Sequence, residues 1–183
     1  MPATIYTIGH STHTLEHLLS MLAAHGVRQV VDVRTVPRSR HNPQFDRERL
    51  ETELPARGIG YRHLGGLGGL RRPQREGSPN TGWRDESCRG FADYMQSPAF
   101  AQALAELVAL AEQAPTAVMC AEALPWRCHR SLIADALTAQ GVPVCHLMSA
   151  TECRLHQVTA CARIAGGRVT YPAPAPEQGD LLL

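Results

Sequence analysis

Apolar residues recur along this chain with two periods, and the switches between them predict alternating strands and helices. Residues 4–8 form a short apolar run that stops at Gly9, which predicts a buried strand. Leu15, Leu18, Leu19, Leu22 and Ala23 then fall on one helical face, with Ser11, Thr12 or Thr14 as cap and His25-Gly26 as stop. Residues 27–33 are rich in valine and predict a central parallel strand ending in charge at Asp32. A proline-bearing loop over 35–43 precedes a helix over 44–57, and 58–64 predicts a third strand.

Gly65, Gly66, Gly68 and Gly69 open a long irregular stretch running to Gly82, the segment expected to be most mobile. Residues 91–95 suggest one helical turn. A longer helix starts at Ser97-Pro98, with Phe100, Ala103, Leu104, Leu107, Val108 and Ala111 inward. A fourth strand over 116–120, a helix over 126–140 and a fifth strand over 142–148 follow. A further helix is expected over 151–164, then a proline-rich tail over 172–183. This order predicts one α/β domain over 1–171. Its sheet has about five mostly parallel strands with helices on both faces, a three-layer Rossmann or flavodoxin-like arrangement.

Composition narrows the classes. At 183 residues and 44% hydrophobic the chain can build a core, and a formal charge of +1 gives no global pull toward nucleic acid or membrane. Arginine is nevertheless concentrated locally, at Arg28, Arg34, Arg38, Arg40, Arg47 and Arg49 and again at Arg71, Arg72 and Arg75. Its planar fork of donors suits carboxylate or phosphate. No run approaches the roughly 20 apolar residues of a membrane span. The first residues lack the features of a signal peptide, so the expectation is a cytoplasmic protein with reduced thiols, despite its 6 cysteines.

In an open parallel sheet, sites form outside the carboxyl ends of the strands. His10 and Ser11 follow the first strand, and Asp32 and Arg34 end the second and share a face. The Gly65 cluster follows the third, Cys120 to Arg130 follow the fourth, and His146 lies near the end of the fifth. An ion-paired structural role competes with ligand binding for Asp32 and Arg34, and a solvated loop competes with an anion fork for Arg38, Ser39 and Arg40.

The densest chemistry is Cys120, Glu122, Cys128, His129 and Arg130. A strand-end cysteine followed by a helix N-terminus has its thiol pKa lowered and can hold an anion. Rhodaneses and cysteine phosphatases use such a device with shorter, glycine-rich loops. Here six residues separate Cys120 from Arg127, none of them glycine, so the likeness is loose. Cys120, Cys128 and His129 are alternatively metal ligands, with His10, Glu122 or His146 as a fourth, although no CxxC pair supports zinc. Both cysteines also fit as plain packing residues, as do Cys88, Cys145, Cys153 and Cys161. The glycines match neither a dinucleotide nor a Walker loop, so the sequence names no cofactor, and tight turns or a hinge explain them.

Taken together, TIGHST at 7–12, DVRTVPRSR at 32–40 and YRHLGGLGG at 61–69 resemble the bacterial domain-of-unknown-function 488 family. So do GFADYM at 90–95, MCAE at 119–122 and CHRS at 128–131. These motifs run in order from about residue 5 to 146. The resemblance implies an α/β domain and supplies no reaction. It carries over His10, Ser11, Asp32, Arg34, Pro37, Arg38, Ser39, Arg40, Tyr61, Gly65, Gly66, Cys120, Glu122, Cys128, His129 and Arg130 without assigning them roles.

Three functions follow as expectations. In the first, Arg34, Arg38, Arg40 and Arg130 hold a small anion such as a nucleotide or phosphate, with Ser11, Asp32, Ser39, Tyr61, Gly65 and Gly66 around it. Cys120 or Cys128 is then the nucleophile, and His10, Glu122 or His129 handles protons. In the second, less favoured because of the near-neutral charge, arginine-rich loops bind nucleic acid. In the third, Cys120, Cys128 and His129 form a metal-binding or redox-sensing module.

Overall fold

A computed structural model describes residues 2–174. Its strands and helices alternate as β1 (Ile5–Gly9), α1 (Leu15–Ala24), β2 (Gln29–Asp32), α2 (Arg47–Ala56), β3 (Gly60–His63), α3 (Glu86–Tyr94), α4 (Pro98–Gln113), β4 (Thr116–Cys120), α5 (Arg130–Ala139) and β5 (Val144–Leu147). Three short strands follow, β6 (Cys153–Leu155), β7 (Arg163–Ala165) and β8 (Arg168–Thr170). The main sheet has the order β3-β2-β4-β1-β5-β6, parallel except for β6, and β7 and β8 pair as a separate hairpin. No described helix is long and apolar enough to cross a membrane.

Strand alternation produces the three layers. Val30, Ala117 and Met119 join Leu18, Leu22, Leu50 and Leu54 of α1 and α2 in one core. Their neighbours Val31, Val118 and Cys120 turn to the other face, with Phe91, Phe100, Leu107 and Leu132 of α3, α4 and α5. Side-chain caps start the helices where the sequence marks them. Thr14 Oγ1 accepts from His17 N–H in α1, and Ser97 Oγ accepts from Phe100 N–H with Pro98 at the first position of α4.

Several expectations are corrected. Residues 151–164 form no helix. Residues 153–155 instead pair antiparallel with β5 and cover its edge, and Arg163–Ala165 enters the β7–β8 hairpin, turned by Gly166 and Gly167 at positive φ. The single turn expected at 91–95 is the end of a nine-residue helix, α3. Its polar first turn and internal Gly90 conceal the period. A Cβ on Gly90 would stand 2.2 Å from Arg71 O, so close packing excludes a side chain there. The helix expected from 126 starts only at Arg130, after a 3₁₀ turn at Pro125–Arg127.

The stretch from 65 to 82 is tied down. The Asp93 carboxylate accepts from Gln74 N–H, Ser78 Oγ–H and Asn80 Nδ2–H, while Asn80 Oδ1 accepts from Tyr171 N–H. Asn80 and Tyr171 are both fully buried. Contrary to the expectation of reduced thiols, Cys145 and Cys153 form a disulfide across β5 and β6. From residue 175 the expected tail lies outside the described residues.

Candidate functional site

The parallel register brings the carboxyl ends of β1, β2 and β4 together. Gly9 stands beside Cys120, and Asp32 beside both Met119 and His63. The β4 exit loop lies directly over the end of β1. A Cβ on Gly9 would fall 1.8 Å from Glu122 O, and His10 N–H and Ser11 N–H donate to Cys120 O and Ala121 O. Ser11 turns away from the strand at φ 46°, a left-handed conformation stabilised by these bonds.

One polar cluster forms around Asp32. Its carboxylate is fully buried and accepts from Arg34 Nε at 2.9 Å and Nη2 at 2.6 Å, and from the Tyr61 hydroxyl at 2.6 Å. Arg34 also donates to Phe45 O. Burial alone would lower the Arg34 pKa, but the hydrogen bond and charge of Asp32 outweigh it and raise the pKa. Tyr61 is pushed up, first by burial and then by Asp32.

Next to this cluster, His10 stacks on Phe45 with ring centroids 4.4 Å apart. Its Nδ1–H donates to Ser11 O, and Arg34 Nη1 lies 3.4 Å from its Nε2. Burial, and secondarily the Arg34 charge, lower the His10 pKa and favour the neutral ring. Arg34, Asp32, Tyr61 and His10 therefore converge as the sequence suggests, with their hydrogen bonds spent largely on one another.

The second cluster lies at the β4–α5 connection. Cys128 Sγ stands 2.8 Å from Cys120 Sγ, 3.4 Å from His129 Nδ1, and 3.4 Å from Arg130 N, which donates to it at the start of α5. The Cys128 pKa is pulled far below an ordinary thiol's, first by the hydrogen bond from Cys120. Burial opposes the shift, and the His129 bond and charge and the Arg130 charge add to it. Cys120 is only 2% exposed, and burial drives its pKa up. The opposed shifts favour Cys120 as the thiol donor of this pair and Cys128 as its acceptor.

Arg130 is 1% exposed. It donates from Nη1 to Thr7 Oγ1 and from Nη2 to Glu122 O and Ala123 O, while Nε has no partner. All these acceptors are neutral. Thr7 continues the network to His146 Nδ1, His146 Nε2 to His156 Nδ1, and His156 Nε2 to the Asp135 carboxylate. Asp135 also accepts from Tyr171 OH. Since the Asp135 carboxylate only accepts, each neutral ring donates from Nε2 and accepts at Nδ1, and the Thr7 hydroxyl donates to His146. Burial, then the charges of His156 and Arg130, lower the His146 pKa to about 4.

Cys120 and Cys128 line a cavity of about 710 Å³ with Arg34, Arg38, Glu122, Arg127 and His129 on its wall. Trp83, Trp126, Cys88 and Asp85 also reach it, and burial pushes the Cys88 thiol up to about 12. Ser39 and Arg40 stay outside this wall. Ser39 N–H donates to Asp46 and its Oγ accepts from Asn42 N–H, while Arg40 is exposed. Arg38 pairs with Glu48 in solvent.

Gly65 and Gly66 contribute carbonyls, accepting from Arg71 and from the Tyr94 hydroxyl. Neither they nor Gly68 and Gly69 need positive φ. The cluster permits close approach instead, since a Cβ on Gly69 would lie 2.6 Å from the His129 ring.

Thr7 and Asp135 carry a signal in the sequence, polar residues inside the apolar elements β1 and α5, whereas His156 and Tyr171 lie just past β6 and β8 and carry none. Among the described residues, no group of three or more His, Cys, Asp or Glu side chains is arranged to hold a metal ion.

No curated protein and no solved structure matches the chain. A family model described as "Domain of unknown function DUF488" matches residues 14–137. That span includes both polar clusters from Asp32 to Arg130 and leaves His10 and Ser11 just before it. With more than half of its 183 residues matched, the chain belongs to the DUF488 family.

Proposed function

We propose that the protein is an enzyme that holds a small anionic molecule in the Cys120–Cys128 cavity and attacks it with the Cys128 thiolate. The observation that carries this reading is the surroundings of Cys128 Sγ. A thiol, a backbone N–H and an imidazole all lie within 3.4 Å of it, on the wall of a cavity large enough for a metabolite. Arg130 strengthens it. Its buried charge meets only neutral acceptors and lowers the pKa of both thiols. Arg34, Arg38 and Arg127 all reach the cavity; Arg34 is held by Asp32 and Arg38 by Glu48, which leaves Arg127 as the cation to meet an anionic group. His129 Nε2–H is held by Val33 O at 3.0 Å, which aims Nδ1 at the sulfur and fits it for proton transfer.

The test is iodoacetamide alkylation of Cys128 as a function of pH, followed by peptide mapping. The expected result is rapid labelling at pH 6, where an ordinary thiol is overwhelmingly protonated. Labelling that rises only toward pH 8.5 would remove the nucleophile.

A further inference from the structure

Resting on the reading of Cys128 as a thiolate nucleophile, we propose that Cys120 is its resolving thiol and that the cavity exchanges disulfides with small anionic thiols. The sulfurs are 2.8 Å apart, against about 2.05 Å in a disulfide bond, so little movement closes the gap. Access to them is asymmetric. Cys128 is half-buried on the cavity wall, whereas Cys120 sits at the end of a fully buried strand. An incoming disulfide meets Cys128 first, and Cys120 lies behind it.

The chemistry balances with one co-reactant, a low-molecular-weight disulfide RSSR. The Cys128 thiolate attacks one of its sulfurs, the RS–SR bond breaks, RS⁻ leaves, and a mixed disulfide remains on Cys128. The Cys120 proton passes to the departing thiolate, which leaves as RSH. The new Cys120 thiolate attacks Cys128 Sγ, the mixed disulfide breaks, and the second RS⁻ departs. Two electrons move from the protein dithiol to the small disulfide. The reverse sequence, from two RSH equivalents, restores the dithiol.

Three other features support the assignment. The loop from 121 to 127 is anchored by the Arg130 bonds to Glu122 O and Ala123 O, which hold the two cysteines in register. Cys88, the other free thiol on the cavity wall, is pinned in its protonated form by burial and by Asp85, so it does not compete as the attacking group. Arg127 on the wall favours carboxylate-bearing thiols over cationic ones.

The experiment treats the full chain with glutathione disulfide, quenches with acid and maps the cysteines by mass spectrometry. Wild type is expected to give a Cys120–Cys128 cross-linked peptide distinct from Cys145–Cys153. Cys120→Ser, with Cys120→Ala as a second variant and circular dichroism as the folding control, is expected to stop at a glutathionylated Cys128. Cys128→Ser is expected to leave residue 120 unmodified. Cystamine, a cationic disulfide, is expected to react about tenfold more slowly than glutathione disulfide.

A wild type that stops at glutathionylated Cys128, while low-pH alkylation persists, overturns the resolving role and leaves the nucleophile standing. Ordinary alkylation together with no exchange overturns both. Equal rates for the two disulfides overturn the anionic preference.

Discussion

Arg34 and Arg130 are both buried guanidinium groups at the carboxyl edge of one sheet, yet their partners differ in kind. Arg34 meets a carboxylate, bidentate to Asp32, with Tyr61 and Phe45 O completing the set. Arg130 meets a hydroxyl and two carbonyls, and its Nε meets nothing. In the first cluster the charge is neutralised where it stands. In the second it meets no carboxylate, and its charge lowers the pKa of both nearby thiols, Cys120 and Cys128. Two buried arginines thus differ in their partners, one held by a carboxylate and the other by neutral acceptors.

The largest effect that tests this contrast comes from Asp32→Asn. It leaves Arg34 buried without its counter-charge and is expected to cost about 3–5 kcal/mol in urea unfolding. A loss below about 1 kcal/mol would break the contrast, because Arg34 would then be no more committed than Arg130.

A middle-sized effect is expected from His146, the third member of the Arg130 network, which faces Thr7, His156, Arg130 and, through His156, Asp135. Its folded pKa, about 4, lies below the unfolded value near 6.5, so the unfolded chain binds the extra proton first. Stability is complete above pH 6.5 and falls as pH drops from 6.5 toward 4, by up to about 3 kcal/mol. Urea titrations across this window, compared with His146→Gln, check the sign. An unchanged slope in the variant would assign the pH dependence elsewhere.

The smallest effect on stability is expected from Cys128→Ser, about 1 kcal/mol or less, accompanied by complete loss of alkylation at pH 6. A destabilisation as large as that of Asp32→Asn would make the second cluster structural as well.

The strand-end positions of His10, Asp32, Arg34, Cys120 and Arg130 were legible because a parallel sheet places its carboxyl ends on one edge and the apolar runs delimit the strands. Their division of labour was not. Arg34 meets its carboxylate two positions away on a shared strand face, but what a buried Arg130 meets depends on residues distant in sequence. Arg130 reaches Thr7 across 123 positions and Asp135 reaches Tyr171 across 36. The last quarter of the chain was misread for a related reason. Residues 153–155 are too few to carry a period, and it is the open edge of β5 that makes them a strand.

By itself, then, the amino-acid order determined the alternation of elements, the α/β class and the family motifs, since these follow from local periodicity, caps and glycine punctuation. The tertiary structure decided which thiol is shifted down and which up, and which arginine is spent. Where tight turns or a hinge were expected of the glycine cluster, it shows close approaches, Gly66 to Ala103, Gly68 to Thr35 and Gly69 to His129. Burial, and the partners that burial supplies, set those outcomes, and neither is a property of any short stretch of sequence.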